Sequence, residues 1–92
     1  MKVVWSPECV RAIGDHVAFI SKDSSKNATK WANDLFVRVE GILEFPLLGR
    51  ISKHQGARDI REIVIDSHFI LTYRIKKTEI RILAFFHTAQ DR

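Results

Sequence analysis

The chain has 92 residues, 46% of them apolar and 28% charged, with fifteen Lys/Arg against eleven Asp/Glu. That length bounds it to a single domain over 1–92, near the lower limit of what folds without staples, and the apolar fraction excludes a disordered chain. The lone Cys9 excludes an internal disulfide and a cysteine-built zinc site, and neither a signal-peptide core nor a membrane-spanning apolar run is visible, so a soluble cytoplasmic protein is expected.

Charge is unevenly placed. Residues 1–46 balance six Lys/Arg with six Asp/Glu, whereas residues 47–92 carry nine against five. A basic half of this kind is the footprint of an acidic partner, nucleic acid or acidic protein.

Lys2 to Trp5 is short and β-branched, and predicts a first strand. Ser6-Pro7-Glu8 then starts a helix: a cap, a proline suited to the first helical position, and an acid at the positive end of the dipole. Val10, Ile13, Val17 and Ile20 form its apolar stripe, ending near Asp23. After Ser24 and Ser25 a second stripe runs through Ala28, Ala32, Leu35, Phe36, Val39, Ile42 and Leu43 until Pro46 stops it. The two stripes predict an αα-hairpin, with Trp5 and Trp31 in the core.

Leu47 to Arg58 reads as a loop, with room for an extra strand near Ile51. Three strands follow over residues 60–65, 68–75 and 79–87, joined by links short enough for antiparallel hairpins. The order β-α-α-β-β-β predicts an α+β fold, a small antiparallel meander covered on one face by a helical hairpin.

Cationic side chains sit within these strands: Arg61, Arg74 and Arg81, with His87 closing the last. Alternation assigns Ile80, Ile82, Ala84 and Phe86 to the helix side and sends Arg81 and His87 to the open side; a bulge would overturn that assignment. Arg61 and Glu62 point to opposite faces, so each should pair across strands and not with the other. His87 is the natural acid or base of the group. No metal-ligand spacing links His16, His54 and His68, and phosphate loops and nucleophile elbows are absent, so neither metal nor cofactor is expected.

Taken in order, these residues resemble the RelE/ParE superfamily, toxins of bacterial type II toxin–antitoxin modules. The likeness runs through Val4-Trp5-Ser6-Pro7, the helical hairpin, Phe45-Pro46-Leu47-Leu48-Gly49-Arg50, Arg58-x-x-Arg61-Glu62-Ile63, Phe69-Ile70-Leu71-Thr72-Tyr73-Arg74 and Ile80-x-Ile82-Leu83-x-Phe85-x-His87. The Pro-x-x-Gly-Arg turn and the Arg-Glu…Tyr-Arg…His pattern favour the ParE-like branch. The resemblance then implies a plasmid-stabilising toxin that inhibits DNA gyrase, blocks replication and needs no catalytic residue. It also implies a cognate antitoxin whose extended, often acidic segment covers the toxin as a hetero-oligomer, with Arg58, Arg61, Arg74, Arg81 and Phe85 facing antitoxin or target. The alternative is a RelE-like endoribonuclease that cuts mRNA on the ribosome, using Arg61, Arg81 and His87 with Glu62. Against it, Lys53 is the only lysine between Gly49 and Arg58, and no tyrosine follows Tyr73.

Overall fold

Ser6 joins the first strand to the first helix and fixes both. In the computed structural model, which describes residues 1–52 and 59–88, its side chain accepts from the Cys9 amide at 3.1 Å and donates to the Leu83 carbonyl at 2.7 Å. β1 (Lys2–Trp5) leads through this cap into α1 (Pro7–Ser21). Ser24 caps α2 (Ser25–Glu44) in the same way, accepting from the Asn27 amide. Pro46 ends α2 by opening a 3₁₀ turn, Pro46–Leu48, and β2 (Arg50–Ile51) follows. β3 (Ile60–Ile65), β4 (Phe69–Ile75) and β5 (Glu79–His87) complete the chain of elements.

The architecture is the expected α+β one, with the extra strand present at Ile51. The sheet has five strands in the order β1-β5-β4-β3-β2. It is not wholly an antiparallel meander, because β1 lies parallel to β5 and forms an edge. A parallel neighbour needs a crossover, and the α-hairpin supplies it. The β3–β4 turn places both Asp66 and Ser67 at positive φ, 53° and 62°.

The hairpin covers one face of the sheet. Leu35, Val39 and Ile42 from α2 and Cys9 from α1 pack on Ile63, Ile65, Leu71, Tyr73, Ile80, Ile82 and Phe85. The α1 stripe departs from the sequence expectation at its first member: Ile13 packs against the core and Val17 and Ile20 are half-buried, but Cys9 is buried in place of Val10, which is 54% exposed. Phe36, placed in the α2 stripe, is likewise half-exposed, its ring meeting Trp5 edge-on with 5.9 Å between centroids.

A bulge corrects the faces of β5. Thr72 pairs with Ala84 but the next residue, Tyr73, pairs with Ile82, leaving Leu83 as the extra residue. The bulge inverts the alternation, so Ile80 and Ile82 face the helices before it, and Phe85 and His87 after it. Ala84 and Phe86 turn outward, contrary to expectation, and of the pair expected outside only Arg81 is there. The carbonyl that Ser6 holds belongs to Leu83, so the helix cap is docked on the bulge itself.

Candidate functional site

The strand arginines are distributed over both faces and engaged within the protein. Arg61 shares the helix face with its cross-strand partner Tyr73, and donates through Nη1 to the Gly49 carbonyl at 2.6 Å. The Tyr73 hydroxyl donates to the Pro46 carbonyl and accepts from the Gly49 amide, both at 2.8 Å. Burial pushes the Tyr73 phenol up from its ordinary range, opposed by the Gly49 hydrogen bond and the Arg61 charge. These contacts anchor the Pro46–Gly49 turn.

On the outer face, away from the helices, Glu62 is fully buried and accepts from Arg50 Nε at 2.8 Å and from Ser52 Oγ at 3.2 Å. Arg61 and Glu62 thus point to opposite faces and each finds a partner from the Gly49–Ser52 segment. Arg74 Nε lies 3.0 Å from Asp59 Oδ2, and Arg81 reaches Glu79 Oε2 at 2.9 Å through Nε and Nη2. Arg74 and Arg81 are direct register partners.

His87 lies on the helix face in an aromatic cluster at the far end of the sheet. Its ring meets Phe69 edge-on, with centroids 5.1 Å apart, and stacks on His68 at 6.1 Å. His16, unassigned from sequence, enters this cluster from α1, 4.6 Å from Trp31 and 4.4 Å from Phe69. His16 and His87 line one cavity of about 310 Å³ with Ala12, Asp15, Phe69, Phe85 and Phe86. Desolvation lowers the His16 pKa, Asp66 raises it and His87 lowers it further. Phe85 is 7% exposed and stacks on Phe69, so its ring serves the core.

The residues of the nuclease alternative are therefore not brought together. Arg61 and His87 share a face, but their β4 partners, Tyr73 and Phe69, lie four residues apart. At about 3.3 Å per residue that offsets them by roughly 13 Å along the strands, and β4 lies between them. Glu62 and Arg81 are on the opposite face. A base, an acid and arginines on one phosphate would need hydrogen-bond reach of a common point. Arg58 lies outside the described residues.

Two grooves missed in the sequence flank α2 on its β3 side. One, of about 360 Å³, is lined by Trp31, Asp34, Leu35, Val37, Arg38, Ile65 and Asp66. The other, of about 370 Å³, runs past Leu48, Gly49, Arg50 and Val64, and Arg38 lines both. Val37 is 64% exposed, and Leu48 and Ile51 are also open to solvent. The signal was present: Val37 is a large apolar residue off the core stripe of its helix, which a helix with one buried face does not need.

Comparison with known proteins places this geometry. The family model described as the ParE toxin of the type II toxin–antitoxin system parDE matches residues 3–92. The presumed toxin Y4kP of Sinorhizobium fredii is 25% identical over 90 residues, covering 98% of this chain and 91% of the relative. A chain from the structure of a chromosomal ParDE toxin–antitoxin system of P. aeruginosa superposes with a TM-score of 0.71. It is 22% identical, and 95% of each chain is covered. No helix among the described residues is long and apolar enough to cross a membrane.

Proposed function

Because this chain belongs to the ParE toxins of type II toxin–antitoxin systems, we propose that it arrests growth by binding DNA gyrase in the cytoplasm and trapping its cleaved DNA complex, until a cognate antitoxin covers it. The observation that carries a binding role over RNA cleavage is the partition of Arg61 and His87 from Glu62 and Arg81 between the two faces of the sheet. A binding toxin needs a presented surface and no acid–base pair. The two α2 grooves supply a seat for the antitoxin. Their exposed Val37, Leu48 and Val64 suit the apolar side chains of a segment that folds as it binds, and Arg38 suits its acidic ones.

Purified toxin added to gyrase tests the target. Supercoiling should fall while cleaved DNA complexes accumulate, and added antitoxin should restore activity. Unchanged supercoiling at a large excess of toxin removes gyrase as the target.

A further inference from the structure

From the outer face of the sheet we infer a second binding site, one for the phosphate backbone of duplex DNA, centred on Arg74 and Arg81. These two arginines are directly opposed across β4 and β5, with Cα atoms about 5 Å apart. Like charges in that relation repel, and burial of the sheet's apolar faces does not require them. Each is held by one carboxylate, Asp59 beside Arg74 and Glu79 beside Arg81. Arg74 Nε faces Asp59 at ion-pair distance without a hydrogen bond, whereas Arg81 meets Glu79 through Nε and Nη2. Other N–H donors remain on both guanidiniums, whose side chains are 37% and 46% exposed.

Further cations extend the patch. Lys2 pairs in register with Glu79, which places it beside Arg81 on the same end of the sheet. Its amide bonds the Thr78 carbonyl in the β4–β5 turn, the turn that also carries the exposed Lys76 and Lys77. Five cations thus meet two carboxylates over one end of a sheet face.

The composition of the patch selects the ligand. A peptide gains affinity by seating side chains in apolar pockets, and the apolar grooves lie elsewhere, along α2. A phosphate backbone requires only placed cations, with guanidiniums giving paired hydrogen bonds to phosphate oxygens. No base edge needs to be reached, so binding is independent of sequence. This proposal goes beyond the gyrase reading and is tested without gyrase.

The test is fluorescence anisotropy of a labelled 20-bp duplex titrated with the toxin at several salt concentrations. Binding should weaken with salt with a log–log slope of about −3 to −4, as for four neutralised phosphates. Lys2→Gln, on an exposed edge position, should flatten that slope by about 1. Arg74→Gln and Arg81→Gln should each weaken binding several-fold, with tryptophan fluorescence reporting the fold. The decisive variants are Asp59→Asn and Glu79→Gln, which free the guanidiniums and should tighten binding several-fold, a gain that a damaged fold cannot produce. Lys22→Gln with Lys26→Gln, at the α1–α2 turn, should change nothing beyond a small non-specific loss. The proposal is overturned if duplex DNA fails to bind at low salt, if polyglutamate binds and DNA does not, or if freeing the arginines leaves affinity unchanged.

Discussion

Arg61 and Tyr73, register partners on neighbouring strands, close on the two peptides either side of one residue: Arg61 donates to the carbonyl of Gly49 and the Tyr73 hydroxyl accepts from its amide. The clasp ties the turn after α2 to the middle of the sheet, and it explains why residue 49 is glycine. A Cβ there would stand 2.6 Å from the Tyr73 hydroxyl and 2.8 Å from the Glu62 carbonyl. Neither is a flexible end that can swing aside, since Tyr73 is fully buried. Gly49→Ala should therefore cost about 2–4 kcal/mol, the range for overpacking combined with a broken buried hydrogen bond. For a domain of this size that lowers Tm by roughly 10–25 °C. Tyr73→Phe removes the hydroxyl and leaves the Gly49 amide and Pro46 carbonyl short of a partner, costing about 1–3 kcal/mol. Urea melts should show both losses with little change in m, and an unshifted midpoint for Gly49→Ala would contradict the clasp.

The β3–β4 turn offers the opposite sign. Asp66 and Ser67 both occupy left-handed backbone, which matches the twist of a tight hairpin but costs a non-glycine residue about 1 kcal/mol. Asp tolerates that region better than Ser. Ser67→Gly should then stabilise by up to about 1 kcal/mol, less the extra entropy glycine loses on folding. A rise in urea midpoint with binding to the antitoxin unchanged is the expected result; a fall would mean the Ser67 side chain contributes more than its backbone strain removes.

His16 gives the chain a pH dependence. Its ring is wedged between Trp31 and Phe69, and desolvation lowers its pKa below the ordinary histidine value. Since the unfolded chain takes up that proton first, the stability contributed is fully present above the unfolded pKa of about 6.5. It is lost as the pH falls from there through the lower folded value. Asp66 opposes the shift and His87 adds to it. Urea midpoints at pH 7.5 and 5.5 should differ more for the parent chain than for His16→Gln, in which the titrating ring is gone. Equal differences would assign the pH dependence elsewhere.

Much of the fold was legible in the sequence because local signals and burial agree there. Ser6 and Ser24 cap as their chemistry predicts, Pro7 opens α1 and Pro46 stops α2, and Arg61 and Glu62 part to opposite faces. The site was less legible for a physical reason. A period-two pattern carries no marker for a bulge, and the single extra residue Leu83 sends every later side chain of β5 to the other face. His87 therefore joins His16 and Phe69 inside, and Phe85 enters the core, although alternation from Ile80 says otherwise. The basic half of the chain was equally open to misreading. Charge counts show an excess but not that Arg50, Arg74 and Arg81 each meet a carboxylate, one of them the buried Glu62. The exposed α2 flank was readable only as an exception, through Val37.

That flank carries the last prediction. Arg38 lines both grooves beside α2, on an exposed helical position away from the core residues Leu35, Val39 and Ile42. Its replacement should leave the fold alone, since surface substitutions of this kind stay within about 0.5 kcal/mol. If an acidic, apolar antitoxin segment lies there, Arg38→Glu sets a like charge against it and Val37→Asp removes its apolar contact. Each change should raise Kd for the antitoxin by about 10- to 100-fold, mainly through faster dissociation. The Arg38→Glu loss should shrink as salt rises, because it is electrostatic, whereas the Val37→Asp loss should persist, because it includes lost apolar burial. Lys26→Glu near the start of α2 is the matched control, a charge reversal outside both grooves that should leave antitoxin binding nearly unchanged. Calorimetry on the purified pair distinguishes the outcomes, and unaltered affinity in both groove variants would place the antitoxin on another surface.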